Sequence, residues 1–97
     1  MSYTTGTVAI GMDLHDRIKK ADAIYGAPAS AHEMLGVIAE EYAELIEAVR
    51  SGKSGSVEWE ALDIAAAAVR LAYACHAPTT AFAERSGFLD RSETAPE

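Results

Sequence analysis

Apolar residues recur at helical spacing along most of this chain, and strict alternation of apolar and polar positions is absent. Leu14, Ile18, Ala21 and Tyr25 fall on one helix face. They predict a first helix, capped by Asp13 and running to about Tyr25, where Gly26 and Pro28 stop it. Ser30-x-x-Glu33 has the capping-box pattern, in which each side chain satisfies a free backbone N–H of the first turn; the second helix should run from there to about Arg50. Ser51 to Ser56 reads as a flexible turn. Ser56 then caps a third helix, Val57 to about His76, with Glu58 and Glu60 near its positive end and Pro78 beyond its last turn. A short helix from about Thr80 to Arg85 follows. Residues 1–11, rich in Thr and Gly, read as an extended arm, and the tail from Asp90 to the last residue as disordered.

The predicted class is therefore all-α, with one domain over residues 1–97. The second and third helices, joined by a short connection, form an antiparallel helical hairpin. Around the third helix Val57, Leu62, Ile64, Val69, Leu71 and Tyr73 point in several directions. A helix that is apolar nearly all round must be covered on more than one side. A chain of 97 residues has little left to cover it. A four-helix-type bundle completed by self-association, as a dimer or tetramer, is the expected solution.

Composition narrows the partners. The formal charge of −7 argues against binding nucleic acid through its phosphates, which needs clustered Lys and Arg. The single cysteine, Cys75, forms no intrachain disulfide, and no signal-peptide pattern opens the chain, so a reducing, cytoplasmic setting is expected. The longest apolar stretch, Ile64 to Cys75, contains Arg70 and is too short to cross a bilayer.

The acidic residues change the picture further. At about 100° per residue, Leu35, Ile38, Tyr42, Leu45, Ile46 and Val49 form the apolar stripe of the second helix, widened by Met34, Val37 and Ala48. Glu41 falls inside that widened sector and Glu44 at its edge; Glu33, Glu40 and Glu47 lie beyond, on the polar side. On the third helix Glu60 and Asp63 share a stripe that continues through Ala67 and Ala74, with Arg70 at its border. A buried carboxylate that stays ionised must be paired or metal-bound. Four of them facing one another across a hairpin repel unless a cation lies between. All-oxygen ligands suit Mg²⁺, Mn²⁺ or Ca²⁺ rather than zinc.

At these residues the chain resembles the MazG-like, all-α nucleoside triphosphate pyrophosphohydrolases, marked by E-E-x-x-E followed after a gap by E-x-x-D. Here the two motifs read Glu40-Glu41-Tyr42-Ala43-Glu44 and Glu60-Ala61-Leu62-Asp63, and the resemblance spans roughly Ser30 to Ala77. It implies Mg²⁺-dependent hydrolysis (Mn²⁺ as substitute) of NTPs or dNTPs to nucleoside monophosphate and pyrophosphate. Glu41, Glu44, Glu60 and Asp63 would be the metal ligands, and Glu40 either a residue supporting those ligands from behind or a water-orienting base. Such a cation clamps phosphate oxygens, neutralises charge and activates a water, which lets an acidic protein hold an anionic substrate. Lys53 and Arg70 are candidate phosphate contacts. Trp59 offers a ring for stacking on a base, although a lone Trp is more often a core or interface anchor. The alanine-rich stretch after Asp63 lacks the aromatic-His pair expected of the phosphoribosyl-ATP pyrophosphatase branch. Two other classes compete: a non-enzymatic oligomeric helical interaction module, and a nucleotide-binding relative without turnover.

Overall fold

The computed structural model describes residues 3–88, which form four α-helices and no strand: α1 (Tyr3–Tyr25), α2 (Ala31–Ser51), α3 (Ser54–His76) and α4 (Thr80–Ser86). The tail from Asp90 lies outside the described residues. α2 and α3 pack side by side as the expected hairpin, α1 lies against α3, and α4 closes on α2.

Two boundaries differ from expectation. Residues 3–11 are helical rather than an extended arm. Thr, Val and Gly are poor helix formers, each costing at most about 1 kcal/mol relative to Ala. Prolonging an existing helix gains one hydrogen bond per residue, whereas nucleating one is unfavourable, so a turn already formed around Asp13 carries weak formers with it. Val8, Ile10 and Met12 on this half of α1 are exposed. The second difference is at the hairpin turn, which closes in two residues, not six. Gly52 caps α2 in the left-handed conformation (φ 72°), where a Cβ would be strained. Ser51 Oγ donates to the Ala48 carbonyl at 2.6 Å and accepts from the Lys53 N–H at 3.3 Å. α3 therefore begins at Ser54 with Lys53 as N-cap, and Ser56 sits inside the first turn, its N–H donating to the Lys53 carbonyl.

The start of α2 follows its capping signal with one modification. Ser30 Oγ accepts from the Glu33 N–H at 3.0 Å, but Glu33 Oε1 takes the N–H of Ala29, at 3.2 Å, instead of that of Ser30. The Ala31 N–H is satisfied from outside the helix, by Ser86 Oγ at 2.8 Å. Ser86 is buried at the end of α4, beside Phe82, whose ring meets Phe88 edge-on at 5.9 Å. Ser86→Ala would leave that N–H without an acceptor. It is expected to lower stability by about 1–2 kcal/mol, a fall in Tm of roughly 4–16 °C for a domain of this size, measurable by thermal denaturation followed by circular dichroism.

The core is small and rich in alanine: Met34, Ala48, Leu62, Ala66, Ala67 and Phe82. Three of these six are alanines, so methyl groups make up much of the core. Much apolar surface is left over. Leu35, Tyr42 and Val49, spaced seven apart on α2, are 63%, 60% and 58% exposed, and Val69 and Tyr73 of α3 and Ile24 and Tyr25 of α1 are also exposed. No helix among the described residues is long and apolar enough to cross a membrane.

Candidate metal centre

Glu41 lies midway between Met34 and Ala48, seven residues from each, and those two are the buried residues of α2. The helix thus carries Glu41 into the α2–α3 contact. On α3, Glu60 and Asp63 flank buried Leu62. Ala66 and Ala67, one turn beyond Asp63, take no space that the carboxylates need. One oxygen from each of Glu41, Glu60 and Asp63 lies within 4.8 Å of the others. Glu41 Oε2 and Glu60 Oε2 are shut off from solvent and have no hydrogen-bond donor.

The electrostatics follow from this crowding. Burial pushes the Glu41 carboxyl up from about 4.5 to about 7, reinforced by the charges of Glu44, Asp63 and Glu60. The Glu60 carboxyl is raised for the same first reason, with Glu44 and Asp63 adding to it. Glu44 is exposed and stands outside the tight group of three, yet its carboxyl is within hydrogen-bonding reach of both Glu41 and Glu60. A hydrogen bond between two carboxyls needs a proton. A divalent cation meets the same need with two charges, and an all-oxygen donor set with two unsatisfied buried oxygens fits one.

The remaining sequence-predicted residues are distributed around this cluster. Glu40 is exposed on α2 and does not join the three converging oxygens. Lys53 is exposed at the hairpin turn. Arg70 borders a groove of about 210 Å³ that also contains Glu41 and Asp63. Its guanidinium, however, is bound elsewhere: Nε donates to Asp22 Oδ1 at 2.8 Å and Nη2 to the Gly26 carbonyl. Arg70 therefore ties α3 to the C-terminal end of α1. Trp59 is not a core anchor but 60% exposed. It lines a second cleft of about 430 Å³ with Lys20, Ile24 and Tyr25, and this cleft shares Asp63 with the first. A larger apolar groove, about 610 Å³, runs past Ile18, Val69, Tyr73 and Phe82; its one carboxylate, Asp22, is the one held by Arg70.

One residue at the centre escaped the sequence reading. Arg17 of α1 donates from Nη1 to Asp63 Oδ1 at 2.9 Å and from Nε to Asp13 Oδ1 at 3.2 Å. Its guanidinium carbon lies 4.1 Å from the centre of the Trp59 ring. The signal was present: Arg17 stands three residues after Leu14 and four before Ala21, on the stripe that faces α3.

Comparison with protein-family models, with curated proteins and with solved structures finds no match to this chain. The class is accordingly defined by fold and site alone: a helical-hairpin protein with a carboxylate cluster at the hairpin contact.

Proposed function

We propose that this protein is a MazG-like nucleoside triphosphate pyrophosphohydrolase that uses Mg²⁺, with Mn²⁺ as a substitute. The observation that carries the reading is the convergence of Glu41, Glu60 and Asp63 within 4.8 Å, two of them with an unsatisfied buried oxygen. These are residues that the E-E-x-x-E and E-x-x-D pattern assigns to the metal. Together with Glu44 they would hold the cation, which when bound supplies charge neutralisation on the phosphate oxygens. Glu40, exposed beside them, is proposed to orient the attacking water. The α1–α3 cleft, with Trp59, Lys20 and Tyr25 on its walls, opens beside Asp63 and offers the substrate a surface there. Lys53, exposed at the hairpin turn, stays a candidate phosphate contact, while Arg70 is already engaged by Asp22.

The products test the reading. Water attack at the α-phosphorus leaves a nucleoside monophosphate and pyrophosphate, while attack at the γ-phosphorus leaves a diphosphate and orthophosphate. A panel of canonical and modified NTPs and dNTPs with Mg²⁺, separated by ion-exchange chromatography, is expected to give the first pair. Accumulation of NDP would rule the reaction out even if the cation site stood.

A second reading, a non-enzymatic oligomeric helical module, is favoured by the exposed Leu35–Tyr42–Val49 row. The two readings part on metal binding: a module has no specific Mg²⁺ or Mn²⁺ site. The row fits either reading in one respect, since it also supplies the contact by which a second copy would complete the bundle.

A further inference from the structure

We propose that Arg17 is the counter-ion of Asp63 when no divalent cation is bound, and that on cation binding its guanidinium leaves Asp63 and Trp59 and becomes a ligand for the substrate's phosphates. This rests on the metal reading above.

Three observations lead to it. First, Asp63 belongs to the converging carboxylates, yet its Oδ1 is held by Arg17 at 2.9 Å. A cation among the carboxylates and a guanidinium on one of them put two positive charges on a single carboxylate, and at such close range they repel. Second, Arg17 is mostly buried, its side chain 16% exposed, but its contacts besides Asp63 are an exposed Asp13 at 3.2 Å, a long approach of 3.5 Å to the Trp59 carbonyl, and the face of an exposed indole. Release from Asp63 costs the pairing of a part-buried guanidinium, which the phosphate oxygens of a substrate would replace. Third, Arg17 lines both clefts that meet at Asp63. Its fork of N–H donors suits phosphate oxygens. Of the other basic residues lining these clefts, Arg70 is held by Asp22, which leaves Lys20 as the companion cation.

The stacking supplies the readout. Trp59 is the only tryptophan of the chain, and the guanidinium lies against its ring. Titrating the wild-type protein with Mg²⁺ alone is expected to change the indole emission with the midpoint found by calorimetry. Arg17→Met is expected to bind Mg²⁺ more tightly, on the order of tenfold, because a competing unit charge is gone. It should also raise KM for the nucleotide by about tenfold. Arg17→Lys should restore part of the KM while lacking the stacked-guanidinium spectrum. If Mg²⁺ binds by calorimetry but leaves the Trp59 emission unmoved, or if Arg17→Met weakens the binding, Arg17 only positions Asp63 and the exchange is wrong while the metal site stands. If calorimetry finds no Mg²⁺ binding to the wild type, the metal reading and the exchange fall together.

Discussion

Glu41→Gln is expected to abolish turnover while making the cation-free protein more stable. Activity should fall at least about a hundredfold, the scale of removing one group from a preorganised electrostatic site. The stability gain follows from linkage. The folded-state Glu41 carboxyl is raised to about 7 from 4.5, chiefly by burial. Between those values the folded protein binds more protons than the unfolded chain. Stability is therefore full below pH 4.5 and is lost as pH rises through about 7. Glu41 keeps partial access to solvent, so screening reduces the effect to on the order of 1–2 kcal/mol. Thermal melts in a chelator should show Tm falling across this window in the wild type and a weaker fall in Glu41→Gln. Asp63→Asn should lose activity to the same degree without that gain, because Arg17 loses its charged partner at 2.9 Å. Full turnover in either variant would remove the residue from the site. A wild-type Tm that rises with pH from 4.5 to 7 would mean that the cluster is not destabilised by its charge.

Tyr42→Glu is expected to convert an oligomer into a monomer or an unfolded chain. In a single chain Tyr42 is 60% exposed, as are Leu35 and Val49 to similar extents on the same row. With half-buried Ile38 and Leu45 they make a spacing of three and four, the seam of a coiled-coil-like contact. By their positions on the helix, Glu33, Glu40, Glu44 and Glu47 lie away from this row. Two copies of an acidic chain can therefore meet there without opposing carboxylates. A two-fold contact uses each side chain twice. Losing the burial of two tyrosines, at about 1.5–3 kcal/mol each, weakens association by roughly a hundredfold to ten-thousandfold. Sedimentation equilibrium at micromolar concentration reads this directly. A monomeric wild type of 10.3 kDa, or a variant with unchanged mass and Tm, would show that the row faces solvent.

Which parts were legible in the sequence depended on whether the deciding signal was local. Ser30 with Glu33, and Gly26, are local, and the helix ends they imply agree with the structure to within a residue or so. The arm was misread because low propensity at Thr4, Thr5, Gly6 and Thr7 was set against an isolated helix, when the competitor was an extension of one already formed. Ser56 was a plausible cap by type, but Gly52 turned the chain earlier. In the site, Glu41, Glu60 and Asp63 were visible because helical periodicity alone places them on apolar faces. Glu44, read at the edge of the sector, is exposed and lies outside the three converging oxygens. The position of Arg17 on the inner stripe of α1 is legible, but its pairing with Asp63, 46 residues away, exists only through the packing of α1 on α3. For the same reason Arg70 reads from the sequence as a candidate phosphate contact, while in the fold Asp22, 48 residues away, holds it.

The alanines of the core have a consequence for tolerance. A methyl group has no rotamers, so helix packing at Ala48, Ala66 and Ala67 is not softened by side-chain freedom. Longer side chains at such positions can swing aside and let a gap breathe; methyls cannot. The spacing of the backbones that carry Glu41 on one helix and Glu60 and Asp63 on the other then has little slack, and it is the torsions of the acidic side chains themselves that set where their oxygens meet.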